Sequence, residues 1–473
     1  MRVTTMWLVC CLISTLVACT AQDPQQPPAT AKPAPGVGAA GAGDPYYPTD
    51  GNGGYDATSY RVEVRYNPQT RRLAGTSTMT AEATQTLQRF NLDLRTLTVG
   101  EVEVDAQPAR FGHRGSELTI TPAKPLAKGS TFTVRVRYGG QPSREAKSGV
   151  GQLGWLTKRS GAVYALGEPH SASFWYPVNE TPRDPASFEL IAHVPEGWTA
   201  VSIGRRGKTS SGDGWTTFRW KESTAIPSYL TTLAIDKFDI RQSKLSSGVP
   251  VVDAFAPGAE DKKALASRLD EVVRFLSSRF GSYPQKSAGG IYLDVDIPFA
   301  LETNGRPTYA PWVSLSVIVH EYAHQWFGNS VLLTSWSDIC LNECLASYAE
   351  WLWAEAEEGA DLDTRYQAEV EIASADLWSS KLYDMGRGHE FDGVYDKGAL
   401  AMHALRAEVG DKTFDKILTE WAAKKRHRNA TWPEFERHVE RVSGKDLDGF
   451  FDAWFRGTEK PAERYLYPGR LSK

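Results

Sequence analysis

The sequence HEYAH at residues 320–324 is followed, after eighteen intervening residues, by Glu343 within LNECLASYAE. Residues four apart lie on one face of a helix, so His320 and His324 can present ring nitrogens to one point about 2 Å from each. A second helix that carries Glu343 can supply a carboxylate to the same point. Two histidines and one carboxylate are a ligand set of catalytic zinc sites, which keep a fourth position open. The spacing therefore predicts one Zn²⁺ per chain.

Glu321 directly follows the first histidine, and its carboxylate would project beside the metal, where it can take a proton from water. The H-E-x-x-H pattern is short enough to arise by chance, so its surroundings matter. Apolar residues flank it at helical spacing and Gly328 follows as a helix stop, while a second apolar series from Leu341 to Leu352 surrounds Glu343. Two buried helices are therefore predicted. The alternative is a pair of histidines that are partnered inside a core.

The segments HEYAHQWFGN and LNECLASYAE resemble those of the gluzincin metallopeptidases, specifically the aminopeptidase N and leukotriene A4 hydrolase family. The resemblance implies an α+β fold, in which an N-terminal antiparallel β-sandwich or saddle domain precedes a thermolysin-like, mainly helical catalytic domain. It also implies a zinc-dependent aminopeptidase, which removes N-terminal residues from peptides. An epoxide hydrolase, like the bifunctional member of the family, is an alternative.

The family carries a tyrosine in a downstream Y-x-K-G segment, and VYDKGAL places Tyr395 in that role. Negative charge develops on a carbonyl oxygen when water attacks the carbonyl group, and a positioned phenol can stabilise that charge. The resemblance therefore implies that Tyr395 donates a hydrogen bond to the oxyanion. Packing of Tyr395 in a core is the alternative.

Two further glutamates decide the kind of peptidase. The G-x-M-E-N strand of the family aligns with FALET, so Glu302 matches the glutamate that holds the free amine of the substrate. Glu168 stands nine residues before Pro177, at the interval of a second acidic position in the family. Two carboxylates that converge on one ammonium group form a charge-assisted anchor. Phe299 and Thr303 depart from the glycine and asparagine of the family pattern, and ordinary surface carboxylates are the alternative.

The chain has 473 residues, of which 41% are hydrophobic, and it can bury two substantial cores. Apolar and polar residues alternate in segments such as YRVEVRY and FTVRVRY, which predicts β-strands, and helical patterns take over after about residue 245. We predict an N-terminal β domain over residues 46–245 and a zinc peptidase domain over residues 246–473. The net charge of −4 provides no basic field, so no nucleic-acid partner is expected.

The N-terminus combines a basic residue with an apolar stretch too short to span a bilayer, which predicts a signal peptide over residues 1–18. The stretch ends in LVAC, which resembles the bacterial lipoprotein signal and implies a lipid anchor on Cys19. Ordinary cleavage after Ala21 is the alternative. Residues 19–45 are rich in Pro, Ala and Gly and predict a disordered linker. We expect an exported protein of the cell envelope, anchored on the extracytoplasmic side of a bacterial membrane, or else secreted.

Cys340 and Cys344 flank Glu343 and are four positions apart in the sequence. In a regular helix this spacing places the Cα atoms within disulfide range but usually leaves the Cβ atoms too far apart. The spacing favours buried free thiols. A disulfide, which an oxidising compartment permits, and direct metal ligation are the alternatives.

Larger members of the family continue into a helical C-terminal domain that covers the active site, whereas this sequence ends soon after FFDAWFRGTEKP. We therefore expect a more open cleft, which keeps a zinc endopeptidase as an alternative function. A lipid-anchored, non-catalytic binding protein of the same fold is another alternative. The complete set of ligands, base and tyrosine favours the aminopeptidase. Its partners would be peptides with a free N-terminus and, through Cys19, the membrane.

Overall fold

The computed structural model of the chain describes residues 34–148 and 151–472. The predicted signal peptide, residues 1–18, and the predicted lipidation site Cys19 lie outside the described residues. None of the helices within the described ranges has both the length and the apolar content needed to cross a bilayer.

Strands with alternating burial build the first half of the described chain. Along the first strand, Val62, Val64 and Tyr66 are buried while Glu63 and Arg65 between them are exposed, as the period-two pattern predicts. In the part of the chain that the structure describes, the largest sheet has nine strands. Its strands are β1 (Tyr55–Asn67), β2 (Arg72–Ala83), β4 (Thr98–Val104), β5 (Gln107–Pro108), β8 (Thr131–Gly140), β12 (Ala186–Pro195), β14 (Arg205–Arg206), β15 (Ser210–Gly212) and β16 (Trp215–Ile226).

Two smaller sheets complete the β-rich part. The three-stranded sheet contains β3 (Phe90–Asp93), β6 (Arg110–Arg114) and β7 (Glu117–Thr121). The five-stranded sheet contains β9 (Arg144–Ser148), β10 (Gly151–Thr157), β11 (Val163–Leu166), β13 (Thr199–Ser202) and β17 (Leu233–Asp236). The large sheet has the order β14-β16-β12-β1-β2-β8-β4-β5, with β15 beside β16. Neighbouring strands within this sheet are antiparallel, as predicted, except β1 and β12. These two strands run parallel, with Ser59 opposite Ser187.

The second half is mainly helical. Its helices are α1 (Lys263–Ala266), α2 (Leu269–Phe280), α3 (Leu315–Ala323), α4 (Glu343–Glu357), α5 (Leu362–Ile372), α6 (Ala375–Ser379), α7 (Asp396–Val409), α8 (Asp411–Lys424), α9 (Trp432–Ser443), α10 (Asp448–Phe451) and α11 (Glu463–Leu466). Its strands are β18 (Asp239–Lys244), β19 (Pro250–Phe255), β20 (Ile291–Tyr292), β21 (Thr308–Tyr309), β22 (Val331–Leu333) and β23 (Arg428–Ala430). The predicted domain border between residues 245 and 246 falls in the turn that joins the paired strands β18 and β19.

Residues 34–45, which composition assigned to a disordered linker, are packed in the structure. The Gly38 amide donates to the Arg89 carbonyl oxygen over 2.8 Å, and the Gly53 amide donates to the Ala39 carbonyl oxygen over 3.0 Å. Asp44 is buried, and its carboxylate accepts hydrogen bonds from the backbone of Trp336, among others. Glycine and alanine have little side chain to bury, but they let the backbone approach closely enough for main-chain hydrogen bonds. The low apolar content of residues 34–45 therefore did not predict whether this segment is ordered.

The two predicted helices that carry the metal motif are present, with shifted ends. α3 begins after Ser314, whose side chain caps it by accepting from the Val317 amide over 3.3 Å. It ends at Ala323, which leaves His324 as the cap residue. α4 begins at Glu343 itself, after a 3₁₀ helix over Trp336–Leu341.

Cys340 and Cys344 form a disulfide, contrary to the free thiols that the spacing favoured. The physical reason is local: Cys340 lies in the 3₁₀ helix, Cys344 lies in the first turn of α4, and a junction separates them. The two residues are therefore not on one regular helix, and their Cα atoms are 4.8 Å apart, within disulfide range. Direct metal ligation by either cysteine is excluded by the bond.

Candidate active site

Three buried side chains converge where the sequence predicts a metal. Nε2 of His320 lies 3.3 Å from Oε2 of Glu343, and Nε2 of His324 lies 3.5 Å from the same oxygen. One potential ligand atom from each residue lies within 4.8 Å of the other two. Glu343 is the first residue of α4, where the unpaired amides of a helix N-terminus favour a carboxylate. The structure thus brings the predicted ligands together.

The second ring nitrogen of each histidine faces a fixed acceptor. Nδ1 of His320 lies 2.9 Å from Oε1 of Glu350, and Nδ1 of His324 lies 3.1 Å from the Phe327 carbonyl oxygen. When Nδ1–H donates to these acceptors, both Nε2 lone pairs are directed towards Glu343 and are free for a metal. Glu350 was not among the site residues predicted from the sequence. Its position seven residues after Glu343, two turns along the same helix, is the signal that could have found it.

The histidines and carboxylates of the site shift one another's pKa values. Burial alone would lower the pKa of His320, but hydrogen bonds to Glu343 and Glu350 hold that pKa well above its ordinary value. Burial alone would raise the pKa of Glu343, but the charges and hydrogen bonds of His324 and His320 outweigh it and lower that pKa to about 2. Burial, partly opposed by both histidines, raises the pKa of Glu321 to about 8.

Glu168 and Glu302 lie beside Glu343, and one oxygen from each of the three lies within 4.8 Å of the others. Oε1 of Glu168 and Oε1 of Glu302 are buried without a hydrogen-bond partner. Burial, followed by the charges of Glu302 and Glu343, raises the pKa of Glu168 well above its ordinary value. Burial also raises the pKa of Glu302. Buried, unpartnered carboxylates are unfavourable, so this pair is a site that a cation would complete.

The backbone at Glu302 is held by the segment that carries the metal ligands. The Glu302 carbonyl oxygen accepts from Nε2 of Gln325 over 3.2 Å and from Nδ2 of Asn329 over 2.7 Å. The Gln325 side chain in turn accepts from the Gly305 amide over 2.7 Å. Glu302 lies in a loop rather than in the strand implied by the family pattern, because the chain pairs there only through one isolated bridge at Leu301. Side-chain hydrogen bonds replace the missing strand.

Tyr395 and the acidic groups line one cleft of about 380 Å³. Tyr395 directly precedes α7, is 43% exposed, and its ring centroid lies 6.1 Å from that of His320. A phenol keeps its proton near neutral pH, so Tyr395 can donate a hydrogen bond into the cleft that it lines with Glu343 and Glu168. Apolar side chains line another part of the cleft: Pro298, Phe299, Leu301, Trp312, Val317 and Phe391.

Two family models match the chain. Residues 56–230 match the peptidase M1 N-terminal domain, and residues 312–454 match the peptidase family M1 domain. The chain belongs to peptidase family M1. The second matched range contains the three metal ligands, Glu321 and Tyr395, so the geometry of the cleft and the family assignment concern the same residues.

Curated M1 relatives include a glutamyl aminopeptidase from Bitis rhinoceros, 25% identical over 74% of this chain and 40% of that protein. An aminopeptidase N from Lactococcus lactis subsp. lactis is 26% identical over 62% of this chain and 38% of its own length. The chain thus spans about two fifths of the length of these relatives. Among solved structures, an M1 zinc metallopeptidase from Deinococcus radiodurans superimposes with a TM-score of 0.82 at 29% identity, covering 89% of this chain and 98% of that one. A mutant of the Deinococcus radiodurans enzyme has been solved bound to a Tyr-Ser-Ala substrate.

The residues of this M1 member fit the zinc that its family uses. The donor set is two imidazole nitrogens and one carboxylate, as in catalytic zinc sites. The Nδ1 atom of each imidazole faces a hydrogen-bond acceptor, which is Glu350 for His320 and a backbone carbonyl oxygen for His324, and these contacts orient the rings. Burial of His320, His324 and Glu343 would exclude most competing water.

We expect replacement of Glu350 by alanine to weaken zinc binding by about 10- to 100-fold, because the His320 ring would lose its orienting acceptor. Zinc affinity is measured by competition with a chromogenic chelator. The matched control is Glu357→Ala, which removes an exposed carboxylate from the same helix and should bind zinc like the wild type. Equal zinc affinity of the Glu350 variant and the wild type would contradict the positioning role.

Proposed function

We propose that the chain is a zinc-dependent aminopeptidase that removes N-terminal residues from peptides. The observation that carries the proposal is the pair of buried carboxylate oxygens, on Glu168 and Glu302, that have no partner beside the metal ligands. A substrate ammonium group would neutralise them, whereas an internal peptide segment has no charge to place there. The aminopeptidase names of M1 relatives and the peptide-bound Deinococcus structure support the same reading.

Each residue of the cleft has a separate task in this proposal. When bound by His320, His324 and Glu343, zinc supplies a Lewis acid that polarises the scissile carbonyl group and lowers the pKa of water. Glu321 takes the proton of the attacking water and later delivers it to the leaving amine. Tyr395 donates its hydroxyl hydrogen to the oxygen on which negative charge grows.

The amine anchor determines where the substrate is cut. Glu168 and Glu302 hold the N-terminal ammonium group of the substrate through charge-assisted hydrogen bonds. The side chain of the first substrate residue therefore has a fixed place in the cleft. The first peptide bond then lies next to Glu321 and Tyr395, which line the same cavity. The anchor therefore separates an aminopeptidase from an endopeptidase built on the same zinc ligands.

We expect Glu321→Gln and Tyr395→Phe to keep one zinc per chain and to lower kcat much more than they change KM. Neither substitution removes a ligand, and both remove an interaction that acts in the transition state. For Tyr395→Phe the loss is about 100- to 1000-fold, the usual effect of deleting one oxyanion donor. Steady-state kinetics and metal analysis check both variants, and His324→Ala, which should lose zinc as well as activity, is the control. Wild-type turnover by the Glu321 variant would contradict the mechanism.

Acetylating the substrate amine should abolish most of its cleavage. Each charge-assisted hydrogen bond contributes about 1.5 to 3 kcal/mol, so we expect Glu302→Gln to lower kcat/KM for free-amine substrates by about 10- to 100-fold. Glu117→Gln is the control: its carboxylate oxygens are also buried and unpartnered, but it lies in β7 and does not line the cleft. Internal cleavage of N-acetylated peptides at the rate of free ones would assign the protein as an endopeptidase instead.

We further propose that the protein is exported and anchored through Cys19 to the outer side of a bacterial membrane. The support is the LVAC sequence after a short apolar stretch, followed by a spacer that begins at residue 20. A tethered enzyme of this kind would act on peptides outside the cytoplasm.

A labelled fatty acid should be incorporated into the wild-type chain and not into Cys19→Ser, which should also leave the membrane fraction. Cys11→Ser, which changes another cysteine of the same N-terminal segment, is the matched control and should be labelled like the wild type. Absence of label from both forms, together with a mature N-terminus at Gln22, would indicate secretion without an anchor.

A further inference from the structure

A second cavity, of about 430 Å³, lies between the ends of two sheets and does not share a lining residue with the catalytic cleft. Arg205 and Arg206 of β14, at one end of the nine-stranded sheet, form one side. Lys244 lines it from the other sheet, which has the strand order β18-β19-β20-β21 and β18 at its edge. Its volume is within the range of small-molecule sites.

The lining of this cavity is rich in positively charged side chains. Arg205, Arg206, Lys244 and Arg306 all line it, and no Asp or Glu of the described chain does. Arg205, Arg206 and Lys244 form no ion pair with any residue that the structure describes. Arg205 donates to the Lys286 carbonyl oxygen and Arg206 to the Thr209 hydroxyl, both neutral acceptors. Arg206 also lies over the ring of Phe218, 6.0 Å from its centroid, so none of these contacts of Arg205 and Arg206 involves a carboxylate.

Two buried groups of the cavity wall can also donate hydrogen bonds. Arg306 is fully buried and donates to the carbonyl oxygens of Val252, Ser202 and Gly204, which uses three of the five N–H groups of its guanidinium. Ser287 is 1% exposed, and its hydroxyl has no hydrogen-bond partner. A buried hydroxyl without a protein partner keeps its hydrogen-bonding capacity for a ligand in the cavity.

A purely structural explanation covers only part of this arrangement. Sheet edges commonly carry Lys and Arg because charge discourages pairing with another chain, and Arg205, Arg206 and Lys244 are at such edges. That explanation does not account for the unpartnered hydroxyl of Ser287, which is buried in the wall.

We propose that this cavity binds a phosphate-bearing anion. A phosphate group carries more than one negative charge and several acceptor oxygens, and the cavity offers cationic donors and a hydroxyl with no competing carboxylate. The anion is either a soluble phosphate or the headgroup of an anionic phospholipid, because both present the same chemistry to Arg205, Arg206 and Lys244.

The test compares two variants of the full chain that each remove three positive charges. One is Arg205→Ser, Arg206→Ser, Lys244→Ser in the cavity, and the control is Arg114→Ser, Lys124→Ser, Lys128→Ser, three exposed bases of the β-rich part. Inorganic phosphate binding to the zinc-loaded protein is measured by calorimetry. We expect the cavity variant to bind phosphate at least tenfold more weakly and the control to stay within twofold of the wild type. Equal affinity of all three proteins would show that phosphate binds outside this cavity and would overturn the proposal.

The source of the phosphate is distinguished by vesicle cosedimentation in a Cys19→Ser background, which cannot carry an acyl chain on that residue. A lipid headgroup is identified if the protein binds phosphatidylglycerol vesicles but not pure phosphatidylcholine vesicles, and if only the cavity variant loses this binding. Calorimetric binding of phosphate without vesicle binding identifies a soluble ligand. Loss of vesicle binding in both the cavity variant and the control variant would show that the overall positive charge of the surface attracts the vesicles, and it would contradict the proposed site.

Ser287→Ala separates a built site from a charged surface. It changes no charge, and its missing hydroxyl leaves no protein group unpaired, so the fold should be as stable as the wild type in chemical denaturation. We expect it to weaken phosphate binding several-fold. Unchanged affinity would mean that only the surface charge attracts phosphate, and the proposal would be wrong.

Discussion

The concentration of carboxyl groups in the cleft is the constraint on which the site depends. Glu168, Glu302, Glu321 and Glu343 all line one cavity with two histidines, and no Lys or Arg of the described residues lines it. One oxygen from each of Glu168, Glu302 and Glu343 lies within 4.8 Å of the other two. Two negative unit charges at that distance repel each other by about 3 to 4 kcal/mol at an effective dielectric constant near 20. The cleft therefore favours two cations: a zinc ion at Glu343 and an ammonium group at Glu168 and Glu302.

The fold holds these charges together by bringing distant segments into contact. Glu168 comes from the loop after β11, in the β-rich part, whereas Glu302 comes from a loop that Gln325 and Asn329 hold against the metal segment. Glu343 lies at the start of α4, and Tyr395 lies at the start of α7. Such rigid anchorage is needed because like charges would otherwise separate the loops.

Packing between α4 and α7 couples the metal ligand to the tyrosine. The disulfide joins Cys340 and Cys344 on either side of Glu343, and a Cβ added at Gly398 would lie 2.6 Å from the Cys344 sulfur. Only glycine leaves room for this contact, three residues after Tyr395 on α7. The two functional side chains thus share one tightly packed helix contact, which explains how they keep a fixed separation.

The sequence by itself predicted the zinc ligands, the base and the α+β architecture, because histidine spacing and strand alternation are visible in short segments and the motifs resemble those of a known family. His320 and His324 are one helical turn apart, and strand alternation is visible in single segments such as Tyr55–Asn67. Tertiary structure alone decided the role of Glu350, the disulfide at the junction before α4, and the order of residues 34–45. It alone also showed that Glu168 and Glu302, 134 residues apart in the chain, present unpartnered oxygens to one space. The physical reason is that hydrogen-bond satisfaction and charge balance depend on all neighbours in space, and a linear pattern carries no information about those neighbours.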